Sequence, residues 1–125
     1  MFVIDDDQSA RSGIARLLSA AGHAVREFAS AEEFLEHPKD EIAGCILLDI
    51  RMPGLSGSEL MTELKLRCID LPIIVITGDD DSETRTKADK MKAIGFFRKP
   101  VDGNALLDAI DWALRSSSTS SNHNN

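Results

Sequence analysis

Cys45-Ile46-Leu47-Leu48-Asp49-Ile50-Arg51-Met52-Pro53-Gly54 is the stretch from which the rest of the chain can be read. Four apolar residues, too few for a helix, run into a lone carboxylate, and Met52-Pro53-Gly54 then blocks any continuation of a strand. The pattern predicts a buried strand with Asp49 at its carboxyl end, the edge where open α/β sheets bind ligands. An Asp after a strand ordinarily does no more than start a turn, so Asp49 alone decides nothing.

Three further apolar runs end in polar residues of complementary chemistry. Phe2-Val3-Ile4 runs into Asp5-Asp6-Asp7, Ile73-Ile74-Val75-Ile76 into Thr77-Gly78, and Ile94-Gly95-Phe96-Phe97-Arg98 into Lys99-Pro100. In a parallel sheet every strand points the same way, so these acids, the hydroxyl and the lysine collect at one edge with Asp49. Such a set suits a divalent metal and a phosphoryl group held together. Crowded carboxylates repel, and a cation with oxygen ligands relieves the repulsion; magnesium, which keeps several waters, fits an exposed site, with manganese as an alternative.

The spaces between these runs read as helices. Ser9 to Ala21 carries Ile14, Leu17, Leu18 and Ala21 at helical spacing, with Gly22 placed as a left-handed cap. His23 to Phe28 alternates loosely and predicts a short strand near an edge. Ser30 and Glu33 form a capping box for a second helix through Phe34, Leu35 and Glu36 that stops before Pro38, and Ser56 with Glu59 repeats the spacing for a third. That third helix presents Leu60, Met61, Leu64 and Cys68 on its inner face and ends before Leu71-Pro72. A fourth, from Ser82 to Lys92, has only Thr84, Ala88 and Met91 as an apolar stripe and is expected to be the least firmly packed. Asp102 can cap a fifth helix, whose Leu106, Leu107, Ile110 and Leu114 face the sheet with Trp112 toward the flank.

Strands alternating with helices through short connections predict a flavodoxin-like, doubly wound, five-stranded parallel sheet in a three-layer α/β/α arrangement, with strand order 2-1-3-4-5. That order makes the first and third strands neighbours and brings Asp5 and Asp6 beside Asp49. With 125 residues and 42% apolar content the chain suits one domain, expected over residues 1–115, followed by a polar Ser/Asn-rich tail or linker over 116–125 with nothing to bury.

A net charge of −7 argues against this segment gripping nucleic acid or an anionic membrane by electrostatics. No apolar run approaches a membrane span, and Asp5-Asp6-Asp7 does not suit a signal peptide, so a cytoplasmic location is expected. Cys45 and Cys68 have neither disulfide nor metal-ligand spacing and read as free packing thiols. His23, His37 and His123 are scattered and adjoin no candidate nucleophile.

Val3-Ile4-Asp5-Asp6-Asp7, Leu48-Asp49-Ile50-Arg51-Met52-Pro53-Gly54-Leu55-Ser56-Gly57, Ile76-Thr77-Gly78 and Phe96-Phe97-Arg98-Lys99-Pro100, in that order, resemble the signature segments of bacterial two-component response-regulator receiver domains. The wording around Ser30-Ala31-Glu32-Glu33-Phe34-Leu35 and Ile74-Val75-Ile76-Thr77-Gly78 is closest to the FixJ-like branch. The resemblance implies that Asp49 is the phosphoacceptor and that Asp5 and Asp6 place magnesium, Asp6 directly and Asp5 largely through water. It implies that Arg51 adds its backbone carbonyl to the metal shell and that Thr77 and Lys99 contact phosphoryl oxygens. Gly78 leaves the phosphate room, the Lys99-Pro100 bond is cis, and Thr77 and Phe96 act as switch residues. A histidine kinase is the implied phosphodonor. The implied output is transcriptional, through phosphorylation-dependent homodimerisation on the face of the fourth helix, fifth strand and fifth helix, with DNA contacted only by a C-terminal helix-turn-helix domain. Such a domain is no enzyme beyond its own phosphoryl transfer and dephosphorylation. The chain departs from the family pattern at Lys92, where a glycine commonly ends the fourth helix.

Bland readings exist for single residues. Asp7 is best taken as the cap of the first helix, and Asp79, Asp80 and Asp81 favour the start of the fourth through its dipole. Two other functions compete. A haloacid-dehalogenase-like phosphohydrolase would use Asp5 and Asp7, and a pseudo-receiver would be an interaction module that is never phosphorylated. Replacing Asp5 and Asp49 separately distinguishes the three.

Overall fold

The computed structural model describes residues 1–38, 44–50, 57–78 and 82–123. Five strands and five helices alternate in these segments: β1 (Phe2–Ile4), α1 (Gln8–Ala20), β2 (Arg26–Phe28), α2 (Ala31–Leu35), β3 (Ile46–Leu48), α3 (Gly57–Leu66), β4 (Ile73–Thr77), α4 (Ser82–Lys90), β5 (Gly95–Arg98) and α5 (Gly103–His123). All neighbouring strands pair in parallel in the order β2-β1-β3-β4-β5, the flavodoxin-like order expected from the sequence.

Because both faces of the sheet are covered, its central strands are apolar at every position except Thr77, and the two-residue repeat of a strand sorts them between two cores. Val3, Cys45, Leu47, Ile74 and Ile76 face Ile14 and Leu18 of α1 and Leu106 and Ile110 of α5. Phe2, Ile4, Ile46, Leu48, Ile73 and Val75 face Phe34 of α2, Leu60 and Leu64 of α3, Ala88 of α4 and Met91 just after it. The strand β2 lies at the sheet's edge and is shorter than the alternation from His23 suggested, being confined to Arg26–Phe28 and largely exposed.

Helix ends follow the local chemistry in most places. Asp7 Oδ1 accepts from the Ser9 amide at 3.0 Å and the Ala10 amide at 3.5 Å, capping α1 as expected. Asp102 Oδ1 does the same for α5, accepting from Asn104 at 3.0 Å and Ala105 at 3.3 Å. Ser30 Oγ accepts from the Glu33 amide at 3.1 Å, while the Glu33 carboxylate reaches one residue further back than a standard box, to the amide of Ala29 at 3.1 Å. Ser56, the expected cap of α3, lies outside the described residues.

One sequence expectation needs correction. Cys68 is not on the inner face of α3: the helix ends at Leu66, and Cys68 is exposed with φ 57, where its amide donates to the Lys65 carbonyl and closes the helix. The backbone over 116–123 is helical, a direct continuation of α5. Extending a formed helix requires no new nucleus, so a polar run of modest propensity can follow an amphipathic one.

Candidate functional site

The strand register puts the acids together before any side chain is considered. Ile4 pairs with Leu48, so the next residues, Asp5 and Asp49, leave adjacent strands at the same level, and the Asp49 amide donates to the Ile4 carbonyl at 3.0 Å. Carboxylate oxygens of Asp5, Asp6 and Asp49 lie within 4.8 Å of one another. Asp5 and Asp49 are buried at 2% and 8% exposure, and Asp6 is exposed. The Lys99 ammonium bridges the two buried acids, donating to Asp5 Oδ2 at 2.7 Å and to Asp49 Oδ2 at 3.0 Å.

Lys99 reaches this point because its backbone is fixed next to Thr77. The strands β4 and β5 pair Thr77 with Arg98, and the Lys99 amide donates to the Thr77 carbonyl at 2.8 Å. The Lys99-Pro100 bond is cis, as expected. Burial by itself would lower the pKa of Lys99, but hydrogen bonds and charges from Asp5 and Asp49 outweigh it and hold the ammonium above its ordinary value.

Among the described residues three carboxylates gather around one ammonium, and the donors are all hard oxygens. That set fits a divalent cation of the magnesium type. The Asp5 carboxylate is held from both sides, since its Oδ1 accepts from the Asp7 amide at 2.9 Å while Oδ2 takes the lysine.

The remaining expected site residues divide as follows. Thr77 is fully buried at the end of β4. Gly78 follows it at the surface, where an added Cβ would meet no protein atom. Phe96 pairs in register with Val75 and is half-buried, and the Arg85 guanidinium of α4 sits 4.6 Å from its ring centroid. Arg51, with Met52-Pro53-Gly54, lies outside the described residues, as do Asp79, Asp80 and Asp81.

One residue near the site was not singled out from the sequence. Arg11 of α1 donates from Nη1 to the Asp5 carbonyl at 2.6 Å and pairs through Nε with Glu27 of β2 at 3.3 Å. The only sequence signal was a basic residue one helical turn after Asp7.

A groove of about 550 Å³ lies between α1 and the β5–α5 turn, with Ile14, Leu17, Lys99, Pro100 and Val101 among its lining residues.

The family model for the response regulator receiver domain matches residues 1–111. The chain belongs to the response-regulator receiver family. The transcriptional regulatory protein FixJ of Azorhizobium caulinodans is 41% identical over 112 residues, covering 90% of this chain and 53% of the relative. Nodulation protein W of Bradyrhizobium diazoefficiens is 40% identical over 110 residues, covering 88% and 48%. A crystal structure of FixJ-N superposes with a TM-score of 0.81 at 36% identity, covering 91% of each chain. The chain is thus a FixJ-like receiver domain of two-component signalling, and it spans about half the length of the curated relatives it matches. Nothing supports the phosphohydrolase reading, in which Asp7 would be catalytic; its carboxylate caps a receiver helix. No helix among the described residues is long and apolar enough to cross a membrane.

Proposed function

We propose that Asp49 is the phosphoacceptor of this receiver domain and that a histidine kinase supplies the phosphoryl group. The observation that carries this reading is the Lys99 bridge between Asp5 and Asp49 beside the exposed Asp6. An Asp49 carboxylate oxygen attacks the phosphorus of a phosphohistidine; the new P–O bond forms as the P–N bond breaks, and the imidazole nitrogen leaves. Hydrolysis of the acyl phosphate by water returns the carboxylate, so the domain turns over only its own modification.

Asp5, Asp6, Asp49 and the carbonyl of Arg51 would hold the magnesium ion, with manganese as a substitute, and Asp5 would act largely through water. The ion supplies positive charge where negative charge spreads over the phosphoryl oxygens. Lys99, already held above its ordinary pKa, stays charged throughout and contacts those oxygens together with Thr77. Gly78 leaves them space. The groove beside Lys99 suits the kinase, since a partner seated on Ile14, Leu17 and Val101 approaches Asp49 from the open edge of the sheet.

The output reading has Thr77 move toward the phosphoryl group and Phe96 follow, releasing its stack under Arg85 and rearranging the face of α4, β5 and α5. Two receivers then pair through that face. Lys87 is drawn to Glu83 at 3.5 Å and Asp111 to Arg115 at 3.2 Å within their own helices, which leaves Lys90 and Asp108 as the better-placed pair across such an interface. Residues 1–115 constitute the receiver and 116–125 lead to a helix-turn-helix output domain that contacts DNA in the cytoplasm.

Incubation with acetyl phosphate and magnesium should add one phosphoryl group at Asp49 and shift sedimentation from monomer to dimer. EDTA or Asp49→Asn should abolish both changes. An adduct elsewhere overturns the phosphoacceptor assignment, no adduct on the unaltered chain makes it a pseudo-receiver, and an adduct without dimers overturns the output reading alone.

A further inference from the structure

We propose that Arg11 is a positioning residue for the acid pair: it fixes the peptide plane between Asp5 and Asp6 and so sets the affinity of the site for a divalent cation. The inference rests on the metal-binding reading above.

At Asp5 the amide donates to the Phe28 carbonyl at 3.1 Å and the two carboxylate oxygens are taken by the Asp7 amide and Lys99. The carbonyl is the remaining polar group of this buried residue, and Arg11 Nη1 holds it at 2.6 Å. A peptide unit is planar, so fixing the Asp5 carbonyl also fixes the Asp6 amide and the direction in which the Asp6 backbone leaves β1. Asp6 is the exposed member of the cluster, and among the described residues no hydrogen bond holds its carboxylate; the backbone from which that side chain extends starts from the plane Arg11 holds.

Arg11 is well built for this task. Its backbone amide donates to the Asp7 carbonyl at 2.9 Å in the first turn of α1, and its side chain is only 15% exposed. Nε meets Glu27 on the neighbouring strand while Nη1 points to Asp5, a division that a planar guanidinium can make and a lysine ammonium on a flexible stem cannot match. One side chain thereby ties the turn after β1 to α1 and to β2.

The test is a titration of the unphosphorylated protein with Mn²⁺ alone, followed by electron paramagnetic resonance, alongside urea unfolding without metal and the amide NMR shift of Asp6. Supports around metal ligands typically contribute ten- to a hundredfold in affinity, so Arg11→Gln should weaken Mn²⁺ binding about tenfold and move the Asp6 amide resonance. Arg11→Lys should restore only part of the affinity, and Glu27→Gln, which leaves the Asp5 contact in place, should have a smaller effect. Unchanged affinity in Arg11→Gln or in Arg11→Lys, with or without a lowered urea midpoint, overturns the inference and makes Arg11 a structural residue. Failure of the unaltered protein to bind Mn²⁺ overturns the metal reading itself. Should Arg11→Gln not fold, the graded response of Arg11→Lys and Glu27→Gln decides.

Discussion

Helices α1 and α4 flank the same sheet from opposite faces and are held in different ways. α1 buries Ile14, Ala15 and Leu18, is capped by Asp7, and reaches across to Asp5 and Glu27 through Arg11. It ends with Gly22 at φ 95, whose amide donates to Ser19 O at 3.0 Å while that of His23 donates to Leu18 O at 3.0 Å. α4 buries only Thr84 and Ala88 before Met91, and it makes the same two closing bonds, Lys92 to Asp89 at 3.0 Å and Ala93 to Ala88 at 3.1 Å, with a lysine at φ 57. Local opening follows the amount of apolar surface that must be exposed. The half of the domain that carries Asp5 is thus rigid, while the half facing Phe96 is cheap to displace. In the proposed mechanism a phosphoryl group on Asp49 acts between the two and is expressed on the weaker side.

The largest consequence is in side-chain truncation. Leu18→Ala should cost about 3 kcal/mol, since a fully buried leucine in a packed core leaves a cavity. The corresponding loss in α4, Ala88→Gly, should cost about 1 kcal/mol, mostly helix propensity. Urea midpoints measure both, and native-state hydrogen exchange should show α4 amides opening well before those of α1. Equal exchange in the two helices would break the comparison.

Over the single unit from pH 9 to 10 a smaller effect appears, and it belongs to the α1 side of the sheet. Cys45 is buried there, and burial pushes its thiol from 9.0 up to about 12. Above pH 9 the unfolded chain loses this proton while the folded chain keeps it. The stability contributed by the neutral thiol is therefore complete below 9 and falls by up to about 1.4 kcal/mol for each pH unit toward 12. Lys99, also raised, adds loss in the same direction only above 10.5, and the chain has no tyrosine to titrate. Cys45→Ala should flatten the urea-derived stability between pH 9 and 10; an unchanged slope would assign it to other groups.

The smallest effect lies in the helix ends. An added Cβ at Gly22 meets nothing within 4 Å, so Gly22→Ala should cost only the left-handed backbone penalty, about 1 kcal/mol. Lys92→Gly should relieve a similar strain, partly offset by the freedom glycine gains in the unfolded chain, for a net gain near 0.5 kcal/mol. Thermal melting of the two variants should move in opposite directions. If Lys92→Gly also shifts the proposed dimerisation on phosphorylation, the helix end is part of the switch.

Most of the fold was legible because the apolar runs were short, sharply ended and separated by amphipathic stretches, and a parallel sheet converts that order into one edge bearing every strand's last residue. Asp5, Asp49, Thr77 and Lys99 were placed by that rule before any geometry was known. Cys68 was misplaced because helical spacing continues past Leu66 in the sequence, and only the closing bonds decide where the helix stops. The run from Ser116 carried no apolar pattern, so its helical backbone could not be read from periodicity.

The sequence by itself determined the strands, the helices between them and the polar residue at the end of each strand, since each depends on patterns a few residues long. Tertiary structure alone decided that Lys99 bridges Asp5 and Asp49, that Arg11 holds the Asp5 carbonyl, and that Arg85 covers Phe96. Long charged side chains reach several ångströms in many directions, and which acceptor or ring they meet depends on the register of strands and the lean of helices far away in the chain.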